Sequence, residues 1–132
     1  MNLLFAIDDT FVEQLKTTLY SIWLHTSASR LDAFVLQEKE LAQTEKLNQF
    51  CHGLGIVYHP VIIGTGSIFK QAPVSDRYPE SIYYRLLAQN YLPKDLDKVL
   101  YLDADILCIN DLQPLYELPL EDHLYAAANH SK

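Results

Sequence analysis

The chain alternates short, continuously apolar runs with longer stretches whose apolar residues recur at helical spacing. Residues 3–7 are an unbroken apolar run that stops at Asp8 and Asp9, as a buried parallel strand would. Thr10 and Glu13 form a capping-box pattern, which predicts Thr10 as N-cap of the next helix. Phe11, Leu15, Leu19, Ile22 and Trp23 then carry the helical spacing to about His25. Residues 33–36 predict a second strand. A polar helix follows over residues 40–54, with Leu41, Leu47, Phe50, Cys51 and Leu54 on its buried side and Gly53 and Gly55 at its end. Residues 56–63 predict a third strand, and Pro60 within it points to a sheet edge or a bend.

The second half is less regular. Residues 64–78 lack periodicity, and a loop of that length in a compact domain is more often functional than idle. Pro79 suits a first helical position, and a helix is expected from there to about Leu92, broken by Pro93. Residues 98–102 predict a fourth strand, which again ends on acid at Asp103-Ala104-Asp105. A short apolar run over 106–109, a turn over 110–114, a helical piece over 115–118 and a last strand over 124–128 complete the reading. Strands alternating with helices predict one α/β domain over residues 1–132, with a Rossmann-like, mostly parallel sheet wrapped on both faces.

Composition narrows the possibilities. With 49% hydrophobic and 20% charged residues the chain is globular rather than disordered. Its net charge of -7 argues against nucleic-acid binding, which needs a basic face. A phosphate-bearing ligand therefore requires a cation or a local arginine. Cys51 and Cys108 lack metal-ligand or CxxC spacing and read as buried thiols. The opening residues are not a secretory signal and no stretch is long enough to span a membrane, so a cytoplasmic location is expected. None of the five histidines is paired with another ligand at helical spacing, and each reads as a surface or helix-end residue.

The two acid pairs are the main candidate chemistry. Ligands of open α/β sheets bind at the carboxyl ends of the strands, and Asp8, Asp9, Asp103 and Asp105 all close strands. If the first and fourth strands are neighbours, the four carboxylates meet on one rim. On extended backbone, Asp103 and Asp105 point to the same side. Such a pair suits a hard divalent cation, Mg²⁺ or Mn²⁺, bridging the phosphates of a nucleotide. The competing readings are structural: Asp103 as a strand-end turn residue, and Asp9 as a helix cap. Arg85 has Ser81, Ala88 and Gln89 as helical neighbours, a small and polar stripe from which a guanidinium could offset diphosphate charge or simply be solvated. Tyr83, Tyr84 and Tyr91 read as packing residues.

Residues 99–107, Val-Leu-Tyr-Leu-Asp-Ala-Asp-Ile-Leu, resemble the metal-binding segment of family 8 glycosyltransferases. These are retaining galactosyl- and glucosyltransferases that include bacterial lipopolysaccharide enzymes and glycogenin. The opening segment from Phe5 to Phe11 is similar to that family's nucleotide-binding first strand. Tyr83-Tyr84-Arg85-Leu86-Leu87 resembles its Tyr-x-Arg-Leu helix, and residues 111–116 resemble the segment after its metal site. The resemblance covers essentially the whole chain in order and spacing, and it implies a GT-A-type fold. It further implies transfer of galactose or glucose from a UDP-sugar to a glycan or lipopolysaccharide-type glycolipid acceptor, with retention. By the same resemblance Asp103 and Asp105 would ligate Mn²⁺ or Mg²⁺, and Ala6, Asp8 and Thr10 would line the uridine and ribose pocket. Phe11 would lie against the base, Ala104 would bring backbone close to the nucleotide, Arg85 would contact the sugar-phosphate, and Asp9 would lie near the sugar. Arg85 and Asp9 are thus the candidate catalytic residues.

Family members continue well beyond this length, adding an acceptor site, an Asp-Gln-Asp-type segment and a histidine that completes the metal shell. The expectation is therefore a donor half, cut short, from an interrupted gene, a partial chain or a split enzyme needing a partner chain. Two rivals remain. A haloacid-dehalogenase-like phosphatase also places DxD after an apolar strand, but it calls for Thr or Val where Leu107 stands. The other is a nucleotide-binding remnant or module without turnover.

Overall fold

The computed structural model describes residues 1–64 and 88–128. Four parallel strands, β1 (Asn2–Ala6), β2 (Leu31–Gln37), β3 (Ile56–Ile62) and β4 (Leu100–Tyr101), lie in the order β3-β2-β1-β4. The order runs outward from β1 in both directions, so a crevice forms where it reverses, between β1 and β4. β1 pairs with β2 from Asn2↔Asp32 to Ala6↔Leu36, and with β4 at Leu3↔Leu100 and Leu4↔Tyr101. β3 is an edge strand, which tolerates the missing amide of Pro60.

Every residue of β2 is buried, as a strand covered on both faces should be. On one face Leu3, Phe5, Ala33, Val35 and Ile56 pack against the helices α1 (Val12–His25) and α2 (Thr44–Gly53), which supply Leu15, Leu19, Ile22, Leu47 and Cys51. On the other, Leu4, Phe34 and Leu36 meet Ala88, Leu92, Leu96 and Val99. Burying side chains of this size contributes about 1.5–3 kcal/mol each, so the two-sided core holds the sheet that presents the acids.

Several sequence expectations are corrected. Thr10 is not the cap. The Asp8 side chain instead caps a 3-10 turn, Asp9–Phe11, accepting from both the amide and the hydroxyl of Thr10. A carboxylate is the stronger acceptor, so it displaces the hydroxyl from that role. The helix then starts at Val12 with Phe11 as N-cap. Phe11 and Trp23 complete the apolar spacing but are 38% and 41% exposed. The second helix begins at Thr44 rather than near residue 40, because buried Gln37 accepts from the amide of Leu41 and holds the intervening loop. The expected strand over 124–128 has no ladder partner among the described residues, and its side chains are exposed. Without a pairing edge, an extended segment does not become a strand.

The helix expected from Pro79 to about Leu92 lies mostly outside the described residues; within them Ala88–Asn90 form a 3-10 turn. Arg85, Tyr83, Tyr84 and the loop over 64–78, save Gly64, also lie outside them. The helical piece expected over 115–118 is shifted slightly upstream, to α3 (Gln113–Tyr116). Lys98 donates to the carbonyls of Tyr116 and Leu118, satisfying the orphan end of α3. Cys51 and Cys108 are buried free thiols, as expected.

Candidate functional site

The site begins where the ladders end. The Ile7 amide donates to the Leu36 carbonyl at 3.1 Å, and the Leu102 amide donates to the Leu4 carbonyl at 3.0 Å. These bonds carry β1 and β4 one step past their formal ends. Each acid pair starts at the very next residue, Asp8 after Ile7 and Asp103 after Leu102. Since β1 and β4 are parallel neighbours, both pairs leave the sheet on the same rim. Adjacent strands lie roughly 4.8 Å apart, so the two acid pairs start from neighbouring points of the same rim, although their carboxylates do not gather into one cluster.

The backbone does not stay extended through the second pair. Ala104 and Asp105 form a turn, so the alternation that was to align Asp103 with Asp105 does not apply. Polar anchoring against α1 sets this geometry instead. The Thr18 hydroxyl lies 2.8 Å from the Ala104 carbonyl and 2.7 Å from the Ile106 carbonyl, so one donor is shared by two acceptors. Ser21 donates to the Thr18 carbonyl at 2.7 Å and accepts from the Cys108 amide at 2.9 Å. Farther along, Ser27 and the Gln113 amide hydrogen-bond Asp111, and these bonds hold its carboxyl below the usual carboxylate range. A row of small hydroxyl residues thus pins the segment after the acids onto α1. Sequence reasoning missed this row. Its signal was Thr18, a polar residue on the apolar stripe of α1 between Leu15 and Ile22, buried completely in the fold.

The individual candidates sit as follows. Asp103 and Asp105 are exposed and lack a hydrogen-bond or ion-pair partner among the described residues. Ala104 between them is buried, with its carbonyl turned to Thr18. Ala6 is half-buried at the end of β1, and Asp8 is exposed but engaged by Thr10. Asp9 is half-buried, and its Oδ1 is shielded from solvent without a hydrogen-bond partner among the described residues. A buried, unsatisfied acceptor costs about 1–3 kcal/mol.

Hard oxygen donors with open positions fit Mg²⁺ or Mn²⁺ chemically. Among the described residues, however, no cluster of three or more His, Cys, Asp or Glu side chains could enclose a metal. Asp103 and Asp105 alone would leave a cation most of its coordination positions to be filled from outside the described residues.

A second polar cluster lies on the opposite sheet face, at the start of β2. Arg30 clamps Asp32 with two bonds of 2.8 and 2.9 Å, and His59 Nε2 lies 2.9 Å from the same carboxylate while its ring stacks on Phe34 at 4.4 Å. Burial pushes the Asp32 carboxyl up, but the hydrogen bonds and charges of Arg30 and His59 outweigh it and leave it lowered. This pairing accounts for His59 as a structural residue.

The crevice between oppositely wound halves of a parallel sheet, edged by strand-end acids, defines a GT-A-type nucleotide-sugar transferase fold. The galactosyltransferase LgtC, solved in complex with donor and acceptor sugar analogs, superposes with a TM-score of 0.79 at 26% identity, over 92% of this chain and 44% of that one. Residues 2–132 match the profile of glycosyl transferase family 8, and the chain belongs to that family. A lipopolysaccharide 1,2-glucosyltransferase of Escherichia coli strain K12 is 26% identical over 127 residues, covering 91% of this chain and 36% of the relative. A second Escherichia coli lipopolysaccharide 1,2-glucosyltransferase is 49% identical over 53 residues, 40% of this chain and 16% of the relative. The chain therefore spans well under half the length of these relatives. No helix among the described residues is long and apolar enough to cross a membrane.

Proposed function

We propose that this chain is the donor-binding half of a metal-dependent, retaining hexosyltransferase that takes glucose or galactose from a UDP-sugar. The acceptor is a glycan or lipopolysaccharide-type glycolipid, consistent with the printed activities of the lipopolysaccharide glucosyltransferases and LgtC. One observation carries the reading: two acid pairs leave adjacent parallel strands at the same rim, one residue beyond the last ladder bond on each side.

In this reading Asp103 and Asp105 hold Mn²⁺ or Mg²⁺, and Ala6, Asp8, Thr10 and Phe11 line the nucleoside. Ala104 brings backbone to the nucleotide. Asp9 faces the sugar and Arg85 the sugar-phosphate, and these two are the catalytic candidates. A divalent cation, when bound, supplies charge stabilisation for the departing nucleoside diphosphate. The residues of the chain bind and orient the donor, while the acceptor site belongs to the part of the family domain that the relatives possess beyond the matched segment. That part could come from a separate partner chain. In this reading sugar transfer takes place in the cytoplasm.

The alternative reading is a nucleotide-binding module without turnover. Thermal unfolding with UDP, with and without Mn²⁺, tests the donor site, because a ligand of the native state raises Tm by mass action. A metal-dependent rise that disappears in an Asp103→Ala, Asp105→Ala variant supports it. No rise from a folded chain rejects both nucleotide-binding readings. Hydrolysis or transfer of UDP-glucose then separates the enzyme from the module.

A further inference from the structure

The segment that follows the acids has two sides, and only one of them is covered. It runs along α1: the Thr18 hydroxyl lies 2.7 Å from the Ile106 carbonyl, Ser21 accepts from the Cys108 amide, and Ser27 bonds Asp111. Cys108 is buried, whereas Leu107 and Ile109 on either side of it are 68% and 76% exposed. Where one side of an alternating segment meets water, its outward positions are normally polar. Here they are as apolar as the inward one. Leu24, on the turn of α1 between Ser21 and Ser27, is exposed as well.

The pattern continues farther along. Leu115 and Leu118 are exposed at and after α3, and Leu124, at 96%, and Tyr125 stand on a segment without a ladder partner among the described residues. Exposed apolar residues scattered singly are ordinary, but a concentration of them marks a surface that another polypeptide covers.

The superposition on LgtC indicates which polypeptide. It takes in 92% of this chain but 44% of LgtC, so more than half of a domain of this kind lies outside the matched part. A second copy of the chain is the poorer occupant, because two protomers of net charge -7 repel.

We propose that the outward side of residues 106–109, with Leu24 and the segment at Leu124 and Tyr125, is the docking surface for the remainder of a family 8 domain. The occupant is a polypeptide that lays apolar side chains on Leu107 and Ile109 and pairs as a strand with residues 124–125. The proposal rests on the reading of this chain as a donor half. Leu107 stands two residues after Asp105, so the docked polypeptide borders the acid rim, and the segment is then gripped from both sides, by α1 and by the occupant.

Co-expression of the chain with the part of LgtC outside the matched segment tests this. A one-to-one complex is expected by size-exclusion chromatography with light scattering. Hydrogen exchange at residues 106–109 and 124–125 should slow roughly tenfold or more on pairing. Ile109→Asp and Leu124→Asp change exposed positions, and circular dichroism checks that the fold is kept. Each should weaken the complex roughly tenfold or more, while Val57→Lys, on the edge strand β3, should leave it unchanged. The proposal is overturned if no complex forms, if Ile109→Asp and Leu124→Asp pair as tightly as the parent chain, or if the protection falls elsewhere. A dimer of the chain itself that Ile109→Asp dissociates would give the surface to a second copy, and overturns it equally. None of these measurements uses UDP or a metal, so a failure of docking and a failure of the donor site are told apart.

Discussion

Thr18 and Ala104 are 86 residues apart in the chain, yet the hydroxyl of one lies 2.8 Å from the carbonyl of the other in the buried interior. The bond joins the middle of α1 to the turn that separates the two acids of the DxD segment. Replacing Thr18 by Val keeps the shape and removes the donor, leaving two carbonyls unsatisfied. Stability should fall by about 1–3 kcal/mol in urea unfolding, and the metal-dependent response to UDP should weaken. Thr18→Ser should restore most of both. A Val variant with an unchanged nucleotide response would show that the anchor does not position the acids.

Asp9 should behave in the opposite way. Its Oδ1 is buried without a partner among the described residues, so Asp9→Ala should relieve an unsatisfied group. The ligand-free chain should melt at the same temperature or higher, while the extra stabilisation by a UDP-sugar over UDP alone should shrink. Differential scanning calorimetry reads both. A large drop in ligand-free stability would make Asp9 a structural cap instead.

The reach of the sequence follows from which interactions are local. The strand-ending acids were legible because an apolar run that stops at Asp needs only adjacent residues to define it. Pro60 likewise announced the edge strand. The neighbourhood of β1 and β4 could only be stated conditionally, since it depends on a crossover that no local pattern encodes. The cap was misassigned because the capping-box pattern pointed to Thr10, whereas the fold uses the charged acceptor of Asp8. The turn at Ala104 was missed because its cause, Thr18, is remote in sequence.

Asp32 makes stability depend on pH. Its folded pKa lies below its unfolded value near 3.8, so the contribution is present above that value and is lost as pH falls through the folded pKa. Asp32→Asn should therefore cost about 1–2 kcal/mol at neutral pH, with the gap from the parent protein closing in acid. Denaturant melts across the acid range measure this. A gap that stays constant with pH would mean the carboxylate charge is not what stabilises the cluster.

Cys51 should be chemically silent in the native state. Burial pushes its thiol up to about 11, leaving roughly a thousandth as thiolate near pH 8. Iodoacetamide followed by peptide mapping should label Cys51 only in guanidinium chloride. Rapid labelling of the folded chain would expose an opening motion of α2.

The shortness of β4 has a consequence for how the protein assembles on the ribosome. Residues from Asn2 to Ile62 form three paired strands and two helices in unbroken succession, a unit whose contacts can close as the chain emerges. β4 joins afterwards, through only two residue pairs, and it carries the second acid pair with it. Asp8 and Asp9 thus belong to the part that folds first and Asp103 and Asp105 to the part that docks last. Hydrogen exchange should find the β4 amides opening more readily than those of β2. In the proposed donor site the half-formed protein would offer a nucleotide only Asp8 and Asp9, and the second acid pair would arrive only when β4 is seated.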